Sequence, residues 1–248
     1  MKMEFWAEDT GALQCSTEFL SHFCRWTGHG PTTARNGGST QYKSFMRITL
    51  PAGSVQPVIA VRIDGGYTAA FVGNQSVTGT RTFATNAPPG TNFNYWIFEP
   101  GESLPAPDPN AAVVFWDELT GVIKFSSDYF PLIVMDVLVG GGQRNYGNEY
   151  TLATAQGVFG GQSDPGEGIC LANGVPVPDD GNCDSYRYNM QGYVHGGKIS
   201  PDGRTAYFDQ ILWDNATIDT TGVPPSWYVP GEVMVIDVTD IPLPATFF

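Results

Sequence analysis

Four residues near the N-terminus carry the kinds of side chain that bind zinc in proteins. Cys15, His22, Cys24 and His29 lie close together along the chain, and thiolate and imidazole groups are the usual zinc ligands. Their spacing, however, matches no standard zinc-binding pattern. We therefore predict that the protein holds no metal. We expect Cys15, His22 and Cys24 to fill core or half-buried positions, where a free cysteine behaves as a small apolar side chain.

Two further cysteines, Cys170 and Cys183, bracket a segment rich in proline, aspartate and glycine. A disulfide between them would close a loop of about 14 residues and stabilise the fold by roughly 3 kcal/mol. Disulfides are rare in proteins that stay in the cytoplasm. The sequence leaves two states open, a disulfide that forms after release from the cell and a pair of free thiols.

Three residues at the end of that segment and just after it resemble part of a calcium-binding loop. Asp180, Asn182 and Asp184 present oxygen atoms at alternate positions, but the glycine and glutamate that an EF-hand requires do not follow. A solvated turn is the simpler interpretation. The chain also lacks the nucleophile elbow of hydrolases, the zinc-protease helix motif and the phosphate-binding loop. We predict that the protein is not an enzyme and needs no cofactor.

Aromatic residues concentrate in the C-terminal third of the chain. Tyrosine and tryptophan bordered by polar side chains can stack on the apolar faces of sugars. The same residue types fill β cores and subunit interfaces, which is the simpler alternative. We name as candidate receptor or partner contacts Tyr186, Tyr188, Trp213, Trp227 and Tyr228.

The composition of the 248-residue chain predicts the fold class that must position these residues. It contains 30 glycines and 19 prolines, while aromatic residues make up 13% and charged residues only 15%. Many turn-forming residues, many aromatics and few charges are typical of an all-β protein with short strands. The net charge of −13 argues against a nucleic-acid partner. No segment is long and apolar enough to span a membrane.

The N-terminus does not have the pattern of a secretory signal. Glu4, Glu8 and Asp9 interrupt the apolar run that such a signal needs. We therefore expect synthesis in the cytoplasm without a signal peptide. The composition nevertheless has an extracellular character, because the chain is poor in lysine and rich in glycine, threonine and aromatics. A virion component released by lysis would combine both properties.

A sequence repeat with an offset of 110 residues organises the chain. Residues 5–21 and 115–131 align without a gap. Each copy has the pattern of a β-hairpin, in which a strand ends on Phe-Trp and a turn closes on Thr-Gly, where glycine adopts left-handed backbone angles. A second strand and a turn capped by serine follow. The scaffold residues that we predict for the two hairpins are Phe5, Trp6, Gly11, Phe115, Trp116 and Gly121.

The repeat predicts two tandem β-sandwich-like modules, each opened by this hairpin. The first would cover residues 1–99, a proline-rich linker residues 100–110, and the second residues 111–248 with a long loop at 160–185. Alternating and apolar segments predict strands in both modules, and no helix is expected. These strands are 44–50, 56–64, 67–72, 78–84, 93–98, 113–117, 121–126, 131–138, 149–154, 186–195, 204–213 and 232–238.

The hairpin resembles a module of tailed-bacteriophage tail-tip proteins. In that family an aromatic residue and tryptophan are followed by an acidic residue, a glycine and a pair of serines or threonines. Phe5-Trp6 through Ser16-Thr17 and Phe115-Trp116 through Ser126-Ser127 fit this pattern, which covers about 40 residues of this chain. The chain departs from the family pattern by carrying the hairpin twice and by placing Cys15 at a strand position.

The resemblance implies a structural part of a siphophage tail tip, baseplate or tail fibre. Such a protein works by assembling with other tail proteins during host attachment, commonly as a trimer or hexamer. The second module would then face outward or toward a partner. The alternative is a receptor-binding module that recognises host-surface carbohydrate through the C-terminal aromatics, either within a phage or as an unrelated lectin-like protein.

Overall fold

The computed structural model describes residues 4–6, 13–16, 22–35, 43–75, 79–101, 113–116, 120–158, 160–178, 183–221, 223–224 and 226–244. Within these ranges the chain forms β-strands and no α-helix, so the all-β prediction is confirmed. None of the described segments is a helix long and apolar enough to cross a membrane.

The strands are short in the first half of the chain, and two long strands occur in the second. They are β1 (Glu4–Trp6), β2 (Leu13–Ser16), β3 (His22–Pro31), β4 (Thr33–Ala34), β5 (Ser44–Thr49), β6 (Val58–Ile63), β7 (Ala69–Gln75), β8 (Thr80–Thr85), β9 (Asn92–Pro100), β10 (Val114–Trp116), β11 (Ile123–Ser126), β12 (Ile133–Val139), β13 (Gln143–Asn145), β14 (Leu152–Val158), β15 (Gly161–Asp164), β16 (Ile169–Ala172), β17 (Val175–Pro176), β18 (Ser185–Ile199), β19 (Thr205–Thr220), β20 (Trp227–Val229) and β21 (Glu232–Asp237).

Two large antiparallel sheets form the body of the protein. Sheet I has six strands in the order β12-β21-β14-β6-β9-β3. Sheet II has the order β13-β19-β18-β7-β8-β5-β4, with β15, β16, β17 and β20 attached at one edge of β18. The sheets face each other, because buried side chains of both share two apolar clusters. Ile59 and Phe93 of sheet I pack with Met46 and Phe83 of sheet II, and a second cluster repeats this arrangement in the second half.

The two hairpins that the repeat predicted are present and share one register. In β1–β2 the pairs are Glu4 with Ser16, Phe5 with Cys15 and Trp6 with Leu13, with an irregularity between Phe5 and Trp6. Adding 110 to each number gives the pairs of β10–β11, including the position of the irregularity. Gly121 has a φ of 71°, the left-handed conformation predicted for it. Of Gly11 nothing is described.

The repeat continues beyond the hairpins into the topology of both sheets. If β3, β6 and β9 are matched to β12, β14 and β21, the order β3-β9-β6 is mirrored by β12-β21-β14. In the same way, β5-β8-β7 corresponds to β13-β19-β18. Equivalent strands meet at the centre of each sheet, β6 beside β14 and β7 beside β18. The chain therefore has a pseudo-twofold axis through its middle, and we call the paired strands β6–β14 and β7–β18 the seam.

A third contact on this axis joins the outer strands of sheet I. The N–H of Cys24 donates to the carbonyl of Phe130, and the N–H of Leu132 donates to the carbonyl of His22, both at 2.8 Å. His22 and Leu132 are themselves equivalent under the 110-residue offset. These bonds cover backbone groups at the start of β3 that an exposed edge strand would leave unpaired.

The prediction of two separate modules, 1–99 and 111–248, is not confirmed, because both sheets run across the proposed boundary. The physical reason is that β6 and β7 would otherwise expose unpaired edges, and their counterparts in the second half supply the missing hydrogen-bond partners. The linker prediction also changes. Pro100 belongs to β9 and Gly101 is buried, whereas residues 102–110 lie outside the described residues.

Candidate functional site

The second half carries an insertion that the first half lacks. Strands β7 and β8 have 7 and 6 residues, but their counterparts β18 and β19 have 15 and 16. Along the extra length of β18, β15 pairs at Gly161–Asp164 and β16 at Ile169–Leu171, and β20 adds to β15. We call the described residues within 161–194 and 212–229 the arm.

Half of the described residues in the predicted 160–185 loop lie in strands, namely in β15, β16, β17 and the start of β18. The free edge of β18 offers backbone donors and acceptors, and the segment folds onto it to satisfy its own. A two-residue turn at Asn173 and Gly174 joins β16 to β17, and both residues have positive φ values of 51° and 75°. Asn-Gly is a strong signal for this type of hairpin, so this strand pair could have been found in the sequence.

A disulfide, a hydrogen bond to a carboxylate and an ion pair hold the arm together. Cys170 and Cys183 are joined by a disulfide with a Cα–Cα distance of 5.4 Å, one of the two states that the sequence left open. A carboxylate oxygen of Asp184 accepts from the N–H of Asn173 at 2.8 Å. Arg187 on β18 binds both carboxylate oxygens of Asp219 on β19, at 2.8 and 2.9 Å. This pairing raises the pKa of Arg187 and lowers that of Asp219.

Replacing both Cys170 and Cys183 by serine is expected to lower the free energy of unfolding by about 3 kcal/mol, because the closed loop restricts the unfolded chain. The change should concentrate in the arm, where amide hydrogen exchange of β16 and β17 should speed up first. Hydrogen exchange measured with and without reductant on the wild-type protein is the matched control. Equal exchange rates in the arm under both conditions would contradict the prediction.

The five aromatic candidates do not form one platform. Tyr188 is buried, and its ring packs near Gly168 and lies 6.2 Å from that of Tyr186. Trp213 is half-buried against Val194 and Ile211 on the outer face of sheet II. Trp227 and Tyr228 remain exposed, with 49% and 54% of their surface accessible. Only these two offer a substantial aromatic surface to a partner, while Tyr188 and Trp213 serve the packing of the protein.

Trp227 and Tyr228 border a shallow cleft of about 530 Å³ where β20 pairs with β15, and Gln162, Ser163 and Asp164 line it with them. Side chains alternate between the two faces of a strand, so Tyr228 shares one face with Gln162 and Asp164, whereas Trp227 shares the other with Ser163. The first face thus combines an exposed ring with a carboxylate and an amide, groups that bind the apolar faces and hydroxyls of a sugar. Sequence analysis identified the aromatic side of the cleft but not Asp164, because β15 was assigned to a loop.

Behind Tyr228 lies a buried histidine, His195, on strand β18. His195 is 2% exposed, and its ring centroid lies 5.0 Å from that of Phe208 and 5.6 Å from that of Tyr228. Its Nδ1 has no hydrogen-bond partner among the described residues, and Gly160 and Gly231 adjoin it without side chains. Burial disfavours the charged imidazolium and lowers the pKa of His195.

Stability is expected to fall when the pH drops below about 6.5, the ordinary pKa of histidine in an unfolded chain. Below that value the unfolded chain binds a proton that the folded protein binds less readily, since burial lowers the pKa values of both His195 and His22. The variant His195→Gln should show a smaller loss of Tm between neutral and mildly acidic pH. His29→Gln, at an exposed position, is the control, and equal pH profiles of both variants would contradict this assignment.

The remaining candidate residues lie away from the arm. Trp116 is 58% exposed at the second hairpin, and Phe115 lies against Phe125 with a ring distance of 5.8 Å. The side chains of Phe5 and Trp6, like Asp180 and Asn182, lie outside the described residues. Cys24 is buried beside Trp96 and Phe98, and burial raises the pKa of its thiol, so its predicted role in the core is confirmed.

Within the described ranges no group of three or more histidine, cysteine, aspartate or glutamate residues is arranged to hold a metal ion. Exposed apolar side chains, by contrast, concentrate in the arm. Of the thirteen large ones in the part of the chain that the structure describes, the arm holds seven: Ile169, Val175, Ile218, Val223, Trp227, Tyr228 and Val229. A comparison with protein families, curated proteins and solved structures finds no match to this chain.

Proposed function

We propose that this protein is a structural component of a bacteriophage tail tip, baseplate or tail fibre, made in the host cytoplasm and carried on the virion. The observation that supports the proposal is that the hairpin whose sequence resembles the tail-tip module occurs twice with one register and the same irregularity. Because the two hairpins share the same backbone pairing, two equivalent neighbouring subunits can bind them in the same way. The protein acts in this role by assembly and not by catalysis.

The arm is the partner-facing part in this proposal. It is an addition to only one of two otherwise equivalent halves, and it concentrates the exposed apolar residues of the described chain. Monomeric proteins rarely expose extended apolar patches, which commonly mark interaction sites. The core of each half maintains the fold, and the arm provides the contact that distinguishes this protein from a plain duplicated scaffold.

The mass of the purified protein in solution tests the assembly role. Size-exclusion chromatography with light scattering is expected to give a trimer or hexamer, in keeping with the symmetry of phage tails. Phage particles lacking the protein should have no complete tail tip by electron microscopy. Intact tails in such particles, together with a monomeric protein, would overturn the proposal.

A second candidate function, recognition of a host-surface carbohydrate, is favoured by the cleft beside Trp227 and Tyr228. On one face of the cleft, the exposed Tyr228 ring and the Asp164 carboxylate have the chemistry of a shallow sugar site. We expect Asp164→Asn to abolish binding on a glycan array without changing Tm, and Tyr228→Ala to abolish this binding as well. Trp116→Ala, which removes an exposed tryptophan outside the arm, is the matched control. If the wild-type protein binds no glycan on the array, carbohydrate recognition is excluded and only the assembly role stays as a proposal.

A further inference from the structure

A cavity at one end of the two facing sheets lies apart from the arm. It has a volume of about 480 Å³ and spans the seam, because its walls come from β6, β7 and β8 of the first half and from β14 and β21 of the second. Phe71, Phe83 and Met234 supply apolar surface. The volume falls within the range of about 300–1,000 Å³ that is usual for small-molecule sites.

Arg81 is the only charged residue that lines this cavity in the described part of the chain. It lies two positions before Phe83 on β8, so that both side chains point toward sheet I. Arg81 is half-buried, and its guanidinium makes no hydrogen bond or ion pair with another described residue. Arg25, Arg144 and Arg187, in contrast, each contact a carboxylate.

An arginine that contacts no described carboxylate is notable in a protein with 25 acidic and 12 basic residues. No nitrogen of Arg81 is among the described side-chain atoms that are buried without a hydrogen-bond partner, so its guanidinium keeps access to water. The guanidinium is therefore available to an anion that enters the cavity.

Two amide side chains complete the polar part of the cavity. The side-chain oxygen of Gln156 accepts from the N–H of Phe71 at 2.8 Å, which fixes this amide against the cavity wall. Gln56 also lines the cavity, and its φ of 42° lies in the left-handed region that non-glycine residues rarely adopt. Such backbone strain costs about 1–3 kcal/mol and is found preferentially at ligand sites.

We propose that this cavity binds a small molecule with an apolar body and one carboxylate. The carboxylate pairs with the guanidinium of Arg81, whose planar shape matches it, and the apolar body packs against Phe71, Phe83 and Met234. A single cation in a strongly acidic protein suits a monoanion better than a phosphate ester, which carries about two negative charges. This inference is independent of the proposed role in a phage tail.

Octanoate and octan-1-ol are suitable probes, because they share the alkyl chain and differ in charge. We expect octanoate to bind the wild-type protein at least about tenfold more tightly than octan-1-ol, measured by calorimetry at constant ionic strength. The backbone amide of Phe71 should shift in the NMR spectrum on titration. Arg81→Gln should remove the preference for octanoate, whereas Arg81→Lys should keep part of it.

Arg47→Gln serves as the control, because it removes an exposed arginine that lies over the ring of Phe45 and outside the cavity. This variant should bind octanoate like the wild type. Unchanged Tm values show that the Arg81 variants fold. Equal octanoate affinities of the wild type and Arg81→Gln, or no binding of millimolar octanoate to the wild type, would overturn the proposal.

Discussion

Replacing Arg25 by leucine is expected to lower the free energy of unfolding by about 3–5 kcal/mol, the usual cost of leaving a buried charge without its partner. Nη1 of Arg25 lies 2.7 Å from Oε2 of Glu99, whose side chain is completely buried. The guanidinium also lies 4.3 Å from the ring centroid of Trp26. Urea denaturation at neutral pH measures the loss directly.

The double variant Arg25→Leu/Glu99→Leu should recover much of this stability, because it also removes the buried Glu99 carboxylate that the single variant leaves without its partner. Arg144→Leu provides the matched control. Its partner is Asp136 at 2.9 Å, but the arginine side chain is 62% exposed, so the loss should stay within about 1 kcal/mol. Similar losses in Arg25→Leu and Arg144→Leu would show that the Arg25–Glu99 pair is not effectively buried.

Replacing Gly196 by valine is expected to cost about 3 kcal/mol or more by forcing the seam apart. A Cβ atom at this position would collide with the backbone carbonyl of Ala69 and lie 2.8 Å from the Cα of Ala70. Both obstacles belong to the backbone of β7, which a side-chain rotation cannot move aside. The two halves of sheet II meet at this point, so the variant should unfold less cooperatively and with a lower Tm.

Gly73→Ala is the control for this substitution. Gly73 also lies in β7, but a Cβ built there meets no atom within 4 Å, and the expected change in stability is within about 0.5 kcal/mol. Calorimetry should show one transition for this variant and a broadened or divided transition for Gly196→Val. A single sharp transition of Gly196→Val at the wild-type Tm would contradict tight packing at the seam.

The sequence contained the local structure but not the pairing between distant strands. The 110-residue repeat predicted both hairpins, because register within a hairpin follows from nearby turns and alternating residues. The apolar segment at 56–64 predicted a strand, and the structure has β6 at Val58–Ile63. Nothing in its composition identifies β14 as its neighbour, since any apolar strand edge offers the same backbone donors and acceptors.

Strand β3 and the arm show why some elements were missed. His22–Pro31 contains histidines, glycines and an arginine without alternation, and it is a strand because β9 supplies its hydrogen-bond partners. The aromatic candidates show the same limit for the site. Tyr188 and Tyr228 have the same side chain, yet one is buried and the other exposed, a difference set by the tertiary neighbours alone.

The pseudo-twofold axis relates the two hairpins of one chain to each other, but it does not apply to the arm. Each chain carries the hairpin twice and the arm once. Three chains around a threefold axis would therefore present six nearly equal hairpins and three arms. Such a ring could match a sixfold neighbour through its hairpins and a threefold neighbour through its arms. The covalent link between the halves makes this possible, because a homodimer of identical halves could not keep one arm and omit the other.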